Sequence, residues 1–338
     1  MTGIQEDIEA AAALLAAATD VTLLGHVRPD ADALGSALAL GHVLHRQGAR
    51  VRVSFGEPDE APETLAWLDA DGLLTPADAL PPTDGLLVAL DTPAPARLGR
   101  LAPRVAAVRA AGGSVLVVDH HATNAYYGTH HVVDESAEAT AVLVTRIIEA
   151  MGAELDEPAA RGLYAGIVTD TSGFRRASPE THRIAARLLE AGVDPSEVAR
   201  RIIDDHPFAW LPMLSAVLSE AQLEPEGAQG FGFVHTVVRA AEVALVRSEE
   251  VESVIDVVRA TREAGVAAVL KAAGPVDGSP VWTVSLRSAG DVDVSAAAAE
   301  LGGGGHRMAA GCTVTGSAEE VLALLREALG RAPLLRAS

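Results

Sequence analysis

Residues 23–38 read LLGHVRPDADALGSAL, and this stretch joins an apolar run to a pattern that is typical of a helix. The run VTLLGHV (21–27) is almost continuously apolar, as expected for a strand that is covered on both faces. One histidine and two aspartates, His26, Asp30 and Asp32, lie within seven positions at the junction. The stretch therefore predicts a strand that ends in a loop carrying metal-capable side chains and then a helix.

Three further apolar runs repeat the first part of this pattern: RVRVSF (50–55), GLLVALD (85–91) and SVLVVDH (114–120). Helical candidates near 33–47, 62–69 and 101–111 lie between the runs. Alternation of buried strands with helices is typical of an α/β domain with a mostly parallel sheet. We expect that fold for the N-terminal part of the chain.

The rest of the chain predicts a helical connection and a second, smaller domain. Residues 136–222 have a nearly continuous helical pattern, and β-rich runs return between 230 and 316. We predict a first domain over 1–200, a helical connector over 201–222 and a smaller α/β domain with a mixed sheet over 223–335. A length of 338 residues suits two domains of roughly 150 residues each.

Composition excludes several classes of protein. Charges interrupt every apolar run before it could span a membrane, and the acidic N-terminus has no secretory pattern, so we expect a cytoplasmic protein without membrane contact. The single cysteine, Cys312, excludes an internal disulfide framework and a multi-cysteine zinc site. A formal net charge of −20 argues against binding of long duplex nucleic acid but not against a small anionic substrate.

Polar side chains follow three strands of the predicted sheet, where functional groups collect in open parallel sheets. His26 follows the first strand, Asp91 ends another, and Asp119, His120 and His121 end a third. Taken singly, Asp30 or Asp32 could cap a helix, and Asp91 could be a turn residue. Together with Asp170, however, these side chains supply enough ligands for two divalent ions.

A glycine-rich stretch, LGGGGHRMAAG (301–311), is the main polar feature of the second domain. Glycines alone are more typical of a flexible surface loop. His306 and Arg307, which follow directly, and Arg287 in the strand-like SLRS favour a clamp for a phosphate or a carboxylate.

These motifs resemble the DHH family of phosphoesterases, in the branch with a C-terminal DHHA1 domain. HVRPDADALGS, ALDT, VVDHH and GIVTDTSGF are similar, in order, to the family's four metal motifs, and GGGGHRMAAG is similar to the DHHA1 substrate motif. Chains of this length most resemble the nano-RNase group, which combines oligoribonuclease and 3'-phosphoadenosine 5'-phosphate phosphatase activities. The resemblance implies hydrolysis of RNA of two to five nucleotides, of linear or cyclic dinucleotides such as cyclic di-AMP, and of 3'-phosphoadenosine 5'-phosphate, and it implies a homodimer.

The resemblance also implies a role for each site residue. Two divalent ions would be bound, with Mn²⁺ as the first choice and Mg²⁺ or Co²⁺ as alternatives. His26 and Asp30 would hold one ion, Asp32, His120 and Asp170 would hold the other, and Asp91 would bridge them. Asp119 would orient a ligand histidine, and His121 would contact the scissile phosphate and protonate the leaving oxygen. The nucleotide would be held by the substrate-binding residues Arg287, Ser288, Gly302, Gly303, Gly304, Gly305, His306 and Arg307.

Three other functions fit parts of the pattern. A single-strand exonuclease or an inorganic pyrophosphatase of the same superfamily would use a similar metal site. An aromatic content of 3% argues against the extended base-stacking surface of a long single-strand binder, and the glycine-rich motif argues against a pyrophosphatase. A nucleotide-sensing protein without turnover is the third alternative, against which the complete ligand set argues.

Overall fold

The structure is a computed structural model that describes residues 2–82, 85–276 and 278–335. The chain divides into two compact units, Met1–Asp205 and His206–Ser338. The finer division into domains at 200 and 222, with a connector between them, stays a prediction.

The first unit is an α/β fold around one parallel sheet, with strand order β2-β1-β3-β4-β5. Short 3-10 helices cover Ala77–Ala79 and Pro95–Leu101, and a π-helical turn covers Arg200–Asp204. The strands and helices are β1 Asp20–Leu24, β2 Arg50–Ser54, β3 Leu86–Leu90, β4 Ser114–Asp119, β5 His130–Val133, α1 Thr2–Ala16, α2 Ala31–Arg46, α3 Glu63–Ala66, α4 Ala102–Ala110, α5 Thr140–Ala150, α6 Glu157–Asp170, α7 Pro179–Glu190 and α8 Pro195–Ala199.

The order of the strands decides where the site lies. The chain passes from β1 to β2 on one side and returns to β3 on the other side of β1. In open parallel sheets of this kind, ligands bind beyond the carboxyl ends of the strands at the point where the order reverses. Helices α1, α2 and α5 contribute to the core on one face of the sheet and α4 to the core on the other, so the strands are buried and their ends face the loops.

The second unit is built on a six-stranded mixed sheet, with strand order β10-β11-β9-β8-β7-β6. Among the described strands of this sheet, β7 and β8 alone are parallel neighbours. Its elements are β6 Gln222–Glu224, β7 Phe233–Val238, β8 Val266–Val276, β9 Ser279–Ser288, β10 Gly304–His306, β11 Ala309–Thr315, α9 Trp210–Ser219, α10 Gly227–Gly230, α11 Ala240–Val243, α12 Ser248–Val258, α13 Val294–Glu300 and α14 Ala318–Arg331.

Two apolar cores lie on the two faces of this sheet. Helices α9 and α12 pack on one face, where Val254 and Val269 are fully buried. Helices α13 and α14 pack on the other, where Leu270 and Leu325 are fully buried. Because α9 and α12 cover mainly β7 and β8, the strands β9 to β10 keep a more polar surface on the first face.

The predicted fold class is confirmed, and the differences concern short elements. The sequence did not predict β5, β6 or β10, of which β6 and β10 are three residues long. Segments this short carry too few alternating positions for a period to be recognised. Within the described ranges, no helix combines the length and the apolar character that a membrane span requires.

Candidate metal centre

The loop between β1 and α2 gives Asp30 two contacts at once. One carboxylate oxygen, Oδ1, accepts hydrogen bonds from the backbone N–H groups of Asp32, at 3.1 Å, and Ala33, at 2.9 Å, and so caps α2. The other oxygen, Oδ2, lies 3.5 Å from Nε2 of His26. The sequence left two roles open for Asp30, a helix cap or a metal ligand. In the structure one oxygen of the carboxylate caps α2, and the other is available to a metal ion.

His26 is oriented by the backbone of its own loop. Its Nδ1 lies 2.9 Å from the carbonyl oxygen of Val27. A carbonyl can only accept, so we assign the ring proton to Nδ1, which leaves Nε2 as an acceptor or a metal ligand. Nε2 lies 3.4 Å from Oδ2 of Asp91 and faces the same side as Asp30.

Asp91 lies between two histidines and directs one carboxylate oxygen toward each. Oδ2 is 3.4 Å from Nε2 of His26, and Oδ1 is 3.4 Å from Nε2 of His120. The side chain is buried, and the Thr140 hydroxyl donates to Oδ1 at 3.0 Å. The residue directly follows β3 and has φ of 53°, a strained conformation for most residues that Asp and Asn tolerate better.

Asp32 and Asp170 lie on the other side of His120. Nε2 of His120 is 3.4 Å from Oδ2 of Asp170 and 3.9 Å from Oδ2 of Asp32. Asp32 is fully buried, and the backbone N–H groups of Thr140 and Ala141, at the start of α5, donate to its two oxygens at 2.6 and 2.9 Å. The amino end of α5 thus fixes this carboxylate in the core, where a helix dipole favours negative charge.

The contacts of Asp119 differ from the predicted arrangement. Its Oδ1 lies 2.8 Å from Nδ1 of His121, the predicted phosphate-binding residue, and its Oδ2 accepts from the Asn124 amide at 2.6 Å. His120, the predicted ligand, is instead oriented by the Ala137 carbonyl, 3.1 Å from its Nδ1. His120 and His121 are adjacent in the sequence, so the sequence alone does not show which of them Asp119 contacts. The folded structure places Asp119 against His121 and the Ala137 carbonyl against His120.

Burial and mutual repulsion shift the ionisation of the cluster strongly. Burial and the charge of Asp91 raise the pKa of Asp32 to about 7. Burial also opposes the charge on Asp91, but hydrogen bonds with His120 and His26 hold its pKa well below the usual range. Burial lowers the pKa of His120, but hydrogen bonding to Asp91 and the nearby carboxylate charges outweigh this effect and raise it to about 11. The cluster therefore attracts positive charge.

The donor set fits divalent metal ions. Two ligands that each lie about 2.1 Å from one ion are roughly 3.0 to 3.4 Å apart at octahedral or tetrahedral angles. The contacts between His26 and Asp91, His120 and Asp91, and His120 and Asp170 are all 3.4 Å. Groups of His26, Asp30 and Asp91 and of Asp32, Asp91 and His120 each bring one ligand atom per residue within 4.8 Å of one another. Imidazole and carboxylate groups are both ligands of divalent metal ions.

The second unit brings together part of the predicted substrate set. Arg287 on β9 and His306 on β10 are both registered with Ala309, on the strand β11 that lies between them. Facing residues of neighbouring strands project to the same side of a sheet, so Arg287 and His306 flank the small Ala309. This row lies on the more polar surface of β9 to β10.

Glycine is required at several positions of the predicted loop. Gly302 and Gly305 have φ of 77° and 139°. A Cβ on Gly303 would lie 2.1 Å from the Gly311 carbonyl oxygen, and one on Gly305 would lie 2.6 Å from that of Ala309. A Cβ on Gly304 would meet nothing within 4 Å. Close approach to the sheet thus requires glycine at positions 303 and 305, and a positive φ favours glycine at positions 302 and 305.

Ser288 and Arg307 lie off the Arg287 and His306 row. The Ser288 hydroxyl accepts from the N–H groups of Gly290, at 3.2 Å, and Val292, at 3.3 Å, and so supports a turn. The Arg307 side chain is 75% exposed and lies 3.9 Å from Asp293. Their roles in substrate binding stay predictions.

Several residues that complete the centre carry no recognisable signal in the sequence. Thr140 and Ala141 contact Asp32 and Asp91 through groups that begin an ordinary helix. Asn124 holds Asp119, and Arg97 lies beside His26 with Nη2 3.4 Å from Nδ1. The only available hint for Arg97 was its position shortly after the strand that ends at Asp91.

Comparison with known proteins identifies the family of the chain. Residues 20–167 match the N-terminal domain of the DHH family, and residues 237–331 match the DHHA1 domain. The chain is 35% identical to the bifunctional oligoribonuclease and PAP phosphatase NrnA of Thermus thermophilus over 92% of this chain and 90% of that protein. It is 25% identical to the cyclic-di-AMP phosphodiesterase GdpP of Bacillus subtilis, over 92% of this chain but 47% of that protein.

A solved structure supports the fold. An exopolyphosphatase-related protein from Bacteroides fragilis superposes with a TM-score of 0.83 over 96% of each chain, at 24% identity. The ordered motifs, the parallel sheet and the similarity over nearly the whole length lead to one conclusion. The chain belongs to the DHH family and carries a C-terminal DHHA1 domain.

Proposed function

We propose that this protein is a metal-dependent phosphoesterase that hydrolyses very short oligoribonucleotides and dinucleotides to nucleoside 5'-monophosphates and 3'-phosphoadenosine 5'-phosphate to AMP. The observation that carries the proposal is Asp91, whose two oxygens each lie 3.4 Å from a different histidine. A carboxylate in this position suits two ions that act on one phosphate. The similarity to the Thermus NrnA, over nearly the full length of both chains, supports the choice of substrates.

The proposal assigns two ions, Mn²⁺ in the first instance, to the centre. His26, Asp30 and Asp91 would hold one, and Asp32, Asp91, His120 and Asp170 would hold the other. When bound, such ions supply a hydroxide near neutral pH and neutralise charge at the phosphorus atom. The ligands are held by backbone groups of other residues. The Ala141 N–H group donates to Asp32, and the carbonyls of Val27 and Ala137 accept from the rings of His26 and His120. These contacts would keep the ligands in the required orientation.

His121 is the proposed proton donor. The Nδ1–H group of His121 donates to the Asp119 carboxylate. Proton transfer to the leaving oxygen would therefore use the other ring nitrogen, Nε2. The hydrogen bond to Asp119 also fixes the orientation of the His121 ring. Asp119 is in this proposal a positioning residue.

The second unit would hold the nucleotide end. Arg287 and His306, on one row of the sheet, would bind a phosphate or base edge, and the glycines 302 to 305 would let the backbone approach it. With 26 basic and 46 acidic residues, the protein has little capacity to neutralise a long strand, which favours a very short substrate over a long single strand. Cytoplasmic location and a homodimer remain part of the proposal.

The test is product analysis with metal-stripped protein that has been reloaded with Mn²⁺. The protein would be offered 5'-phosphorylated diadenylate, cyclic di-AMP, 3'-phosphoadenosine 5'-phosphate, a long single strand of RNA and pyrophosphate in parallel. Release of AMP from the diadenylate, with the long strand and pyrophosphate unchanged, is the expected result. Preference for the long strand or for pyrophosphate would replace the proposal with the exonuclease or pyrophosphatase reading, and binding without turnover would replace it with a nucleotide sensor.

A further inference from the structure

Arg97 lies at the edge of the centre, and the described part of the chain provides no carboxylate partner for its guanidinium. Its guanidinium has one polar contact there, Nη2 to Nδ1 of His26 at 3.4 Å. Arg100, three residues later along the chain, pairs with Asp59 at 2.6 Å, and Arg46, Arg52 and Arg146 also form ion pairs.

The backbone fixes Arg97 at the edge of the metal centre. Arg97 lies on the 3-10 helix Pro95–Leu101, which follows β3 and Asp91. The N–H group of Val27 donates to the Arg97 carbonyl at 2.8 Å, which ties this helix to the loop that carries His26 and Asp30. The guanidinium is therefore one imidazole ring away from the carboxylate cluster.

The contact between Arg97 and His26 does not satisfy the guanidinium. Nδ1 of His26 carries the ring proton that it donates to the Val27 carbonyl, at 2.9 Å. Two donors therefore face each other at 3.4 Å, and no hydrogen bond joins them. Arg97 is an exposed residue, so its fork of N–H donors can turn toward an acceptor outside the protein.

We propose that Arg97 binds a phosphate oxygen of the substrate on the His26 and Asp30 side of the centre. The inference rests on the proposed function, because it takes the bound group to be the phosphate of a nucleotide. Guanidinium forms paired, charge-assisted hydrogen bonds with phosphate, and it keeps its charge at every relevant pH. Arg97 would thus be a substrate-binding residue contributed by the catalytic unit itself.

The test compares Arg97→Ala, Arg97→Lys and the control Arg100→Ala, whose guanidinium is already paired with Asp59. Calorimetry would measure binding of Mn²⁺ to the stripped proteins and of AMP, the expected product, to the reloaded proteins. Kinetics with 5'-phosphorylated diadenylate would give KM and kcat. We expect Arg97→Ala to weaken AMP binding and raise KM about tenfold to a hundredfold, the loss typical of a charge-assisted hydrogen bond. Arg97→Lys should lie between, and Arg100→Ala should behave as the parent.

Binding of Mn²⁺ separates this role from a structural one. Removing a nearby positive charge should leave Mn²⁺ affinity unchanged or increase it, whereas loss of a support for His26 would weaken Mn²⁺ and AMP binding together. A parallel loss, or AMP binding in Arg97→Ala equal to that of the parent, would overturn the inference. If the parent protein hydrolyses none of the offered substrates, the proposed function fails, but the order of AMP affinities still tests Arg97.

Discussion

Asp91 combines a strained backbone with the central position among the candidate ligands. Its φ of 53° lies in the left-handed region, which costs a non-glycine residue about 1 to 2 kcal/mol. Its carboxylate lies 3.4 Å from each of two histidines. Strain of this kind persists where the surrounding structure holds the residue in place, and it is common at functional sites.

Two replacements of Asp91 distinguish the effect of its backbone conformation from the effect of its carboxylate charge. Asn tolerates the left-handed conformation, so Asp91→Asn should fold as the parent while activity on diadenylate falls by more than about a hundredfold, since loss of a residue that merely supports a ligand already costs 10- to 100-fold. Asp91→Ala should lose the same activity and be about 1 kcal/mol less stable than Asp91→Asn. Steady-state kinetics and urea unfolding measure the two effects. Near-normal turnover by Asp91→Asn would contradict the proposed centre.

Two glycines allow the helices that carry Asp32 and Asp170 to approach closely. A Cβ on Gly35 of α2 would lie 2.3 Å from the Gly162 carbonyl oxygen of α6, and a Cβ on Gly166 would lie 2.6 Å from Oδ1 of Asp32. Contacts under 3 Å force backbone or side chains to move. The distance between these two helices therefore depends on residues without side chains.

Gly35→Ala should destabilise the first unit. The added methyl group has to push α2 and α6 apart, and overpacking of this kind costs about 1 to 3 kcal/mol, more than the gain in helix propensity. The control is Gly3→Ala in α1, where a Cβ would meet nothing within 4 Å and where stability should not fall. Thermal unfolding followed by circular dichroism would measure both variants. Equal melting temperatures for Gly35→Ala and the parent would mean that the helices adjust without cost.

A polar network ties α14 to the edge of the second sheet. Arg326 on α14 donates to both oxygens of Glu224 on β6, and the buried His235 on β7 lies 2.8 Å from the same carboxylate. The side-chain hydrogen bond from Arg326 is the largest cause that lowers the pKa of Glu224. A carboxylate with a lowered pKa contributes stability above its unfolded pKa, and this contribution is lost as pH falls through the folded value.

The network predicts a pH-dependent effect of Glu224→Gln. At pH 7 the variant should be less stable by about 1 kcal/mol, because the pair is only partly shielded from solvent. At a pH below the lowered pKa of Glu224, both proteins carry an uncharged group at this position, and the difference should shrink. Urea unfolding at a series of pH values measures the difference. A difference that stays constant, or grows as pH falls, would contradict the assigned role.

At the scale of the whole molecule, the excess of 20 negative charges includes the buried carboxylates of the centre. Binding of cations there offsets part of the repulsion among Asp32, Asp91 and Asp170. The folded state alone brings these ligands together, so metal binding and folding are linked.

Addition of Mn²⁺ to the stripped protein should therefore raise its unfolding temperature. At a free concentration of about one hundred times Kd, one ion stabilises the folded state by about 2.7 kcal/mol. Asp91→Asn should lose most of this gain, while Glu224→Gln, which changes the other unit, should retain it. Differential scanning calorimetry with and without a chelator measures the gain. The same gain in Asp91→Asn and the parent would place the ions elsewhere.

The sequence by itself determined the α/β class and the composition of the centre. Apolar runs of strand length that alternate with helices leave few folds other than a parallel sheet, and parallel strands bring His26, Asp91 and His120 to one edge. The family resemblance drawn from the ordered motifs is confirmed. The predicted roles of individual ligands and of the glycine-rich loop stay predictions, with geometry that supports them.

Only the tertiary structure decided which groups support the ligands. Asp119 reaches His121 rather than His120, the amino end of α5 holds Asp32, and Arg97 lies beside His26. The contacts of Asp32 with α5 and of Arg97 with His26 join residues between 71 and 109 positions apart. Asp119 contacts one of two histidines that are adjacent in the sequence. Periodicity and spacing describe neighbours along one element, whereas such contacts depend on how separate elements pack, and so the sequence carries no local signal for them.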